Sequence, residues 1–153
     1  MNKRPSATVL VFLAAAAGCA PEPGWQAASI SATVFEAEVY PILLRDCAFS
    51  ACHGAEERFF RLWGPGRARL DPFATTAFSE ATPEEIGNSF QRAMSMIDAK
   101  EPSRSLLLRK PLATAAGGAG HLGADKFGRN VYRSVDDEGY LLLSRWVYSV
   151  VRQ

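Results

Sequence analysis

Excess charge, long apolar runs, cysteine and histidine are all scarce in this chain, and each scarcity excludes something. The 17 Lys and Arg stand against 16 Asp and Glu, a net of +1. Nucleic-acid binding as a main task normally needs a clear basic excess, so nucleic acid is not expected as a partner. No apolar run reaches the ~20 helical residues that cross a bilayer core of ~30 Å. Sustained period-two alternation is missing, which argues against β-sheet. Patterns for nucleotide binding, phosphate cradling or Ser–His–Asp catalysis are missing as well. What is present is a 48% hydrophobic, 22% charged composition in 153 residues, the profile of one folded domain rather than a disordered tail.

The first 18 residues do not read as part of that domain. Lys3 and Arg4 precede a largely apolar run from Ala7 to Ala17, too short to span a membrane but of the size of a secretory signal's centre. The stretch Ala16-Ala17-Gly18-Cys19 resembles the lipobox of bacterial lipoproteins, with Ala16 where a larger aliphatic residue is usual. The resemblance implies cleavage after Gly18 and a lipid on Cys19. The expected layout is a signal peptide over 1–18, a lipid-anchored linker over 19–30 and a domain over 31–153. Cleavage leaves 135 residues with 15 basic and 16 acidic side chains. The expected location is the periplasm or cell surface, with the chain held on a bacterial membrane, the outer membrane foremost.

Beyond residue 30 the pattern is helical. Phe35, Val39, Ile42 and Leu43 share one face, and Pro41 is expected to split or kink their helix. Thr82-Pro83-Glu84-Glu85 is a helix start with N-cap, first-turn proline and capping-box glutamate. That helix should carry Ile86, Phe90, Met94 and Ile97 on one side and stop before Pro102. Ser134 and Asp137 suggest a capping arrangement for a last amphipathic helix containing Leu143, Trp146 and Val147. Residues 54–81 and 113–124 read as loops. Connections of that length in a small all-α domain imply a functional loop or something to wrap around, such as a prosthetic group.

Two Cys and one His are concentrated in Cys47-Ala48-Phe49-Ser50-Ala51-Cys52-His53. A Cys pair followed at once by His reads as a c-type haem attachment site. Two thiols add to the porphyrin vinyl groups as thioethers, and the next residue then lies under the ring, where an imidazole reaches the iron. The usual gap between the Cys residues is two; here it is four, so two residues must loop out. Other readings of the same residues are a Cys47–Cys52 disulfide in an exported module, a zinc site using both Cys with His53 and His121, and a His53 of no special role.

Flanking sequence carries a resemblance. Phe35, Val39, Pro41, Ile42 and Leu43, then Cys47, Cys52, His53 and Gly54, are in register with the small cytochrome c-like domains of planctomycete and myxobacterial exported proteins. Pro102-Ser103-Arg104-Ser105-Leu106-Leu107, His121-Leu122-Gly123 and Tyr140 to Val147 are similar to the second half of those domains. Residues 55–100 match poorly. The resemblance implies an all-α, cytochrome c-like fold with long loops around one covalent haem c, bound through Cys47 and Cys52 and ligated by His53.

For the sixth ligand the candidates are His121, Met94 and Met96. The resemblance favours His121, whereas Met94 lies on the apolar helix face and reads as packing. Met96 is off that face. Two strong axial ligands leave no substrate position and imply electron transfer with redox partner proteins rather than catalysis. An open iron position would instead imply a haem sensor or enzyme. Arg58, Arg61, Arg67 and Arg69, and later Arg109, Lys110, Lys126, Arg129 and Arg133, include candidates to pair with haem carboxylates, although for any single one a solvated surface is the commoner role. Phe49, Phe59, Phe60, Trp63 and Trp146 could line a porphyrin or pack a core.

Overall fold

The structure is a computed structural model, and the residues it describes are 31–73, 76–121 and 130–152. The leader expected over 1–18, the linker over 19–30 and the lipid-bearing Cys19 lie outside the described residues. Among the described residues every regular element is helical and no strand occurs, apart from an isolated parallel bridge between Leu112 and Tyr132. The all-α expectation holds at that level.

Residues 31–46 form one helix, α1, in three registers: α over 31–34, π over Phe35–Val39 and α over Tyr40–Asp46. Pro41 does not end it; the expected break takes the form of a change of register just ahead of the proline. Proline lacks an N–H and its ring collides with the carbonyl four residues back in an ordinary helix. The wider π turn just ahead, where the Tyr40 N–H bonds the Phe35 carbonyl five residues back, absorbs that mismatch.

Helix α2, Pro83–Met94, begins as its sequence signature requires. The Thr82 hydroxyl accepts from the Glu85 N–H, and the Glu85 carboxylate accepts from the Thr82 N–H. It ends earlier than its apolar periodicity suggests. Ser95 Oγ bonds the Arg92 carbonyl, while the Met96 and Ile97 N–H groups bond carbonyls only three residues back, so tighter turns replace the helix and Ile97 falls beyond it. A four-residue helix, α3 (Leu106–Arg109), and a long one, α4 (Glu138–Val151), complete the set. Asp137 is the N-cap residue of α4, but its side chain makes no capping bond. The Asp137 carboxylate accepts from the Arg133 and Ser134 N–H groups, and Ser134 Oγ accepts from the Asp136 N–H. Both side chains thus fold the turn ahead of α4.

The core lies where α1 crosses α4. Phe35, Val39 and Leu43 from α1 and Leu143, Trp146 and Val147 from α4 are buried together with Leu107, Leu108 and Ala93. Each such side chain contributes roughly 1.5–3 kcal/mol on leaving water. The Phe35 ring meets Phe90 and Trp146, both at 5.3 Å between centroids. Trp146 Nε1 donates to the Ser31 carbonyl at 3.2 Å and joins the start of α1 to α4.

The irregular segment before α2 has its own centre. Arg69 is buried and donates through Nε and Nη2 to the two Glu85 carboxylate oxygens, both at 2.8 Å. Its remaining donors satisfy the carbonyls of Thr76, Ser79 and Glu80. One guanidinium thus organises a loop that has no helix or sheet to do so.

Candidate cofactor site

Helix α1 ends at Asp46, and the chain turns at once into the Cys47–His53 loop. The Cys47 and Ala48 N–H groups both bond the Leu43 carbonyl, which closes the helix. The His53 N–H then returns to the Cys47 carbonyl at 3.0 Å. That bond spans six residues, where a helical turn spans four. Phe49, Ser50 and Ala51 take up the difference by standing outside as exposed residues. The long gap between the two Cys is therefore absorbed at the surface. Gly54 allows the loop to close: a Cβ there would lie 2.6 Å from the Ala48 carbonyl oxygen.

Cys47 and Cys52 are both free thiols, the first buried and the second half-buried. Burial, then the Asp46 carboxylate and Cys52, push the Cys47 thiol up to about 12, so it is held neutral. Asp46 itself is occupied, accepting from Arg45 at 2.7 Å and from the Tyr132 hydroxyl at 2.9 Å.

His53 is half-buried against Phe60, edge to face at 4.8 Å, and its Nδ1 is buried without a hydrogen-bond partner. Burial lowers its pKa; the Phe60 backbone opposes this, and His121 and Arg58 reinforce it. His121 stands 68 positions away in sequence, yet its ring is 5.7 Å from that of His53 and within 20° of parallel. Its pKa is also lowered, by burial first and then by Lys110 and Arg58. Both imidazoles are therefore biased toward the neutral form that a metal ligand must have.

His121 reaches this place at the end of a tightly folded return. The chain leaves α3 through Lys110 and Pro111, makes a short turn over Thr114–Ala116 and doubles back. The Gly118 N–H bonds the Ala113 carbonyl so closely that any Cβ at Gly118 would run into the Leu112 carbonyl. The Ala119 N–H bonds the Arg109 carbonyl at 2.8 Å, and Lys110 Nζ donates to the Gly120 carbonyl at 3.0 Å.

Cys47, Cys52, His53 and His121 all line one cavity of about 320 Å³, at the small end of small-molecule sites. Its walls are mainly apolar, with Leu43, Phe59, Phe60, Leu107 and Leu143, and Arg58 and Lys110 bring positive charge to it. Met94 and Met96 both pack against the core, and of the two Met96 also lines the cavity. Of the aromatic candidates, Phe59 and Phe60 belong to the cavity, Trp63 and Trp146 are buried elsewhere, and Phe49 is exposed beneath the Arg67 guanidinium. Of the four early arginines only Arg58 reaches the cavity; Arg69 serves Glu85 instead. Among the described residues no three His, Cys, Asp or Glu side chains gather as a site for a metal ion held by protein alone. Lys110, one of the later basic residues, does line the cavity, as does Asp46, which carries no motif and becomes visible only when the loops close.

No family model matches the chain, and neither a curated protein nor a solved structure shows significant similarity to it.

Proposed function

We propose that this chain is an exported, lipid-anchored electron-transfer protein carrying one covalent c-type haem in the Cys47–His53–His121 cavity, in a cytochrome c-like domain. The observation that carries the reading is the meeting of His53 with His121 across 68 residues, in the cavity that also takes both thiols. With 5.7 Å between their ring centres, the two imidazoles are near enough to address one bound group.

The donor set fits the group. Cys47 and Cys52 would hold it through thioethers, and His53 and His121 would hold its iron. The buried, unpartnered Nδ1 of His53 marks that ring as placed for a purpose other than ordinary packing. When bound, the haem supplies one-electron exchange at its iron. The chain's own residues do the rest. Leu43, Leu107, Leu143 and Phe60 give the cavity a mainly apolar wall, which favours the less charged state of what it holds. Arg58 supplies the cation that anionic carboxylates of a porphyrin require. If His53 and His121 both hold the group, neither is left to act on a substrate, which favours outer-sphere electron exchange with redox partner proteins.

The export and anchoring part of the reading rests on residues 1–19 alone. The haem part is tested by making the protein in a host that matures c-type cytochromes. The expected product is coloured, shows a low-spin Soret spectrum and keeps its haem on the denatured chain. A colourless protein, or haem lost on denaturation, overturns the covalent assignment.

A further inference from the structure

Lys110 is exposed, and an exposed lysine ordinarily leaves its ammonium in water. Here Nζ donates to a neutral backbone carbonyl, that of Gly120, the residue just before His121. Lys110 is itself fixed at the end of α3, where its N–H bonds the Leu106 carbonyl at 3.0 Å. Its neighbour Arg109 accepts from the Ala119 N–H. Two consecutive residues of one element therefore grip two consecutive residues of the return loop, immediately ahead of the imidazole. Among the described residues, the Lys110 bond is the side-chain hydrogen bond that reaches 117–121. A second potential ligand, Met96, faces the same cavity from the turn after α2.

We propose that Lys110 is a positioning residue that latches the His121 loop, and so decides that an imidazole rather than the Met96 thioether completes the iron. This rests on the haem reading above. The latch acts through one charge-assisted hydrogen bond to the backbone, and it competes with a cavity that already contains the alternative. Lys110 lines the cavity beside the Cys47–His53 loop, but among the described residues its hydrogen bonds run to Leu106 and Gly120 and none runs to that loop.

The test compares the haem-loaded wild type with Lys110→Leu, which keeps an apolar side chain but loses the donor and brings no ligand of its own, and Lys110→Arg, which keeps a donor. The wild type should give the spectrum of two imidazole ligands. Lys110→Leu should lose it, toward either high-spin iron or the far-red band of thioether ligation. Its ferrous form should bind carbon monoxide roughly tenfold faster, the scale set by one lost charged hydrogen bond. Lys110→Arg should restore the two-imidazole spectrum. A Lys110→Leu protein that holds haem with unchanged spectrum and unchanged carbon monoxide kinetics overturns the latch alone. A wild type without haem overturns the haem reading and the ligand choice with it. The latch then still has its own readout in the haem-free chain: exchange of the Ala119 amide should quicken roughly tenfold in Lys110→Leu. Exchange at the wild-type rate overturns it there too.

Discussion

Glu85 is a carboxylate with no solvent exposure, and burial by itself would raise its pKa. Hydrogen bonds from Arg69 and from the Leu70 and Thr82 N–H groups outweigh burial and hold it below the ordinary glutamate range. A depressed pKa gives stability that is fully present above the unfolded value of about 4.3 and is lost as pH falls through the lower native value. The acid limb of the folding transition should therefore shift in Glu85→Gln. That variant leaves Arg69 buried without its charge partner and should lose about 3 kcal/mol or more at neutral pH. Urea unfolding across pH checks both points, and a midpoint equal to wild type at pH 7 would refute the buried-pair account. The capping half of Glu85's role was legible in Thr82-Pro83-Glu84-Glu85. The ionic half was not, because Arg69 lies 16 positions upstream in a segment without periodicity and resembles any surface arginine. His53 and His121 were both legible as candidates because histidine is so rare; their meeting was not, since it needs the loop from 110 to 121 to fold back.

At the scale of elements, the Cys47–His53 loop is the part that departs most from regular structure while remaining the most tightly specified. Its extra residues lie outside, and its closure depends on Gly54 passing under the carbonyls of Ala48 and Phe49. Gly54→Ala places a methyl group where no atom fits and should cost about 1–3 kcal/mol by forcing the backbone apart. The same variant should accept less haem, because the two Cys would no longer hold their spacing. Denaturant unfolding together with the ratio of Soret to protein absorbance measures both. Stability and loading equal to wild type would show that the loop has slack the contacts do not indicate. Amphipathic spacing marked α1, α2 and α4 correctly as helices, since each buries one face. Their ends were less legible. Pro41 is tolerated because a π turn precedes it, and α2 stops at Met94 because backbone bonds of three-residue span take over; neither choice leaves a trace in apolar periodicity.

For the molecule as a whole, the lipid anchor is the proposal farthest from the described residues and the simplest to test. Cys19→Ser should move the protein from the membrane to the soluble fraction while leaving its visible spectrum unchanged. Retention in the membrane fraction would place the attachment elsewhere in the chain. The separation between spectrum and location follows from the layout: the residues of the cavity all lie between 43 and 143, and the proposed anchor lies ahead of the first of them.

Helix α1 runs through residues 31–46 and delivers the chain to Cys47. The 16 steps from Ser31 to Cys47 set these points roughly 24 Å apart at 1.5 Å per residue. The 12 residues of 19–30, whatever path they take, extend no farther than about 40 Å. On the anchored reading the cavity is thus confined to a shell about 60 Å deep over the lipid surface. Within that shell, meeting a partner that is itself membrane-bound becomes a local event governed by effective concentration rather than by bulk diffusion. The length of one helix and a short tether would then set the radius within which this protein can exchange an electron.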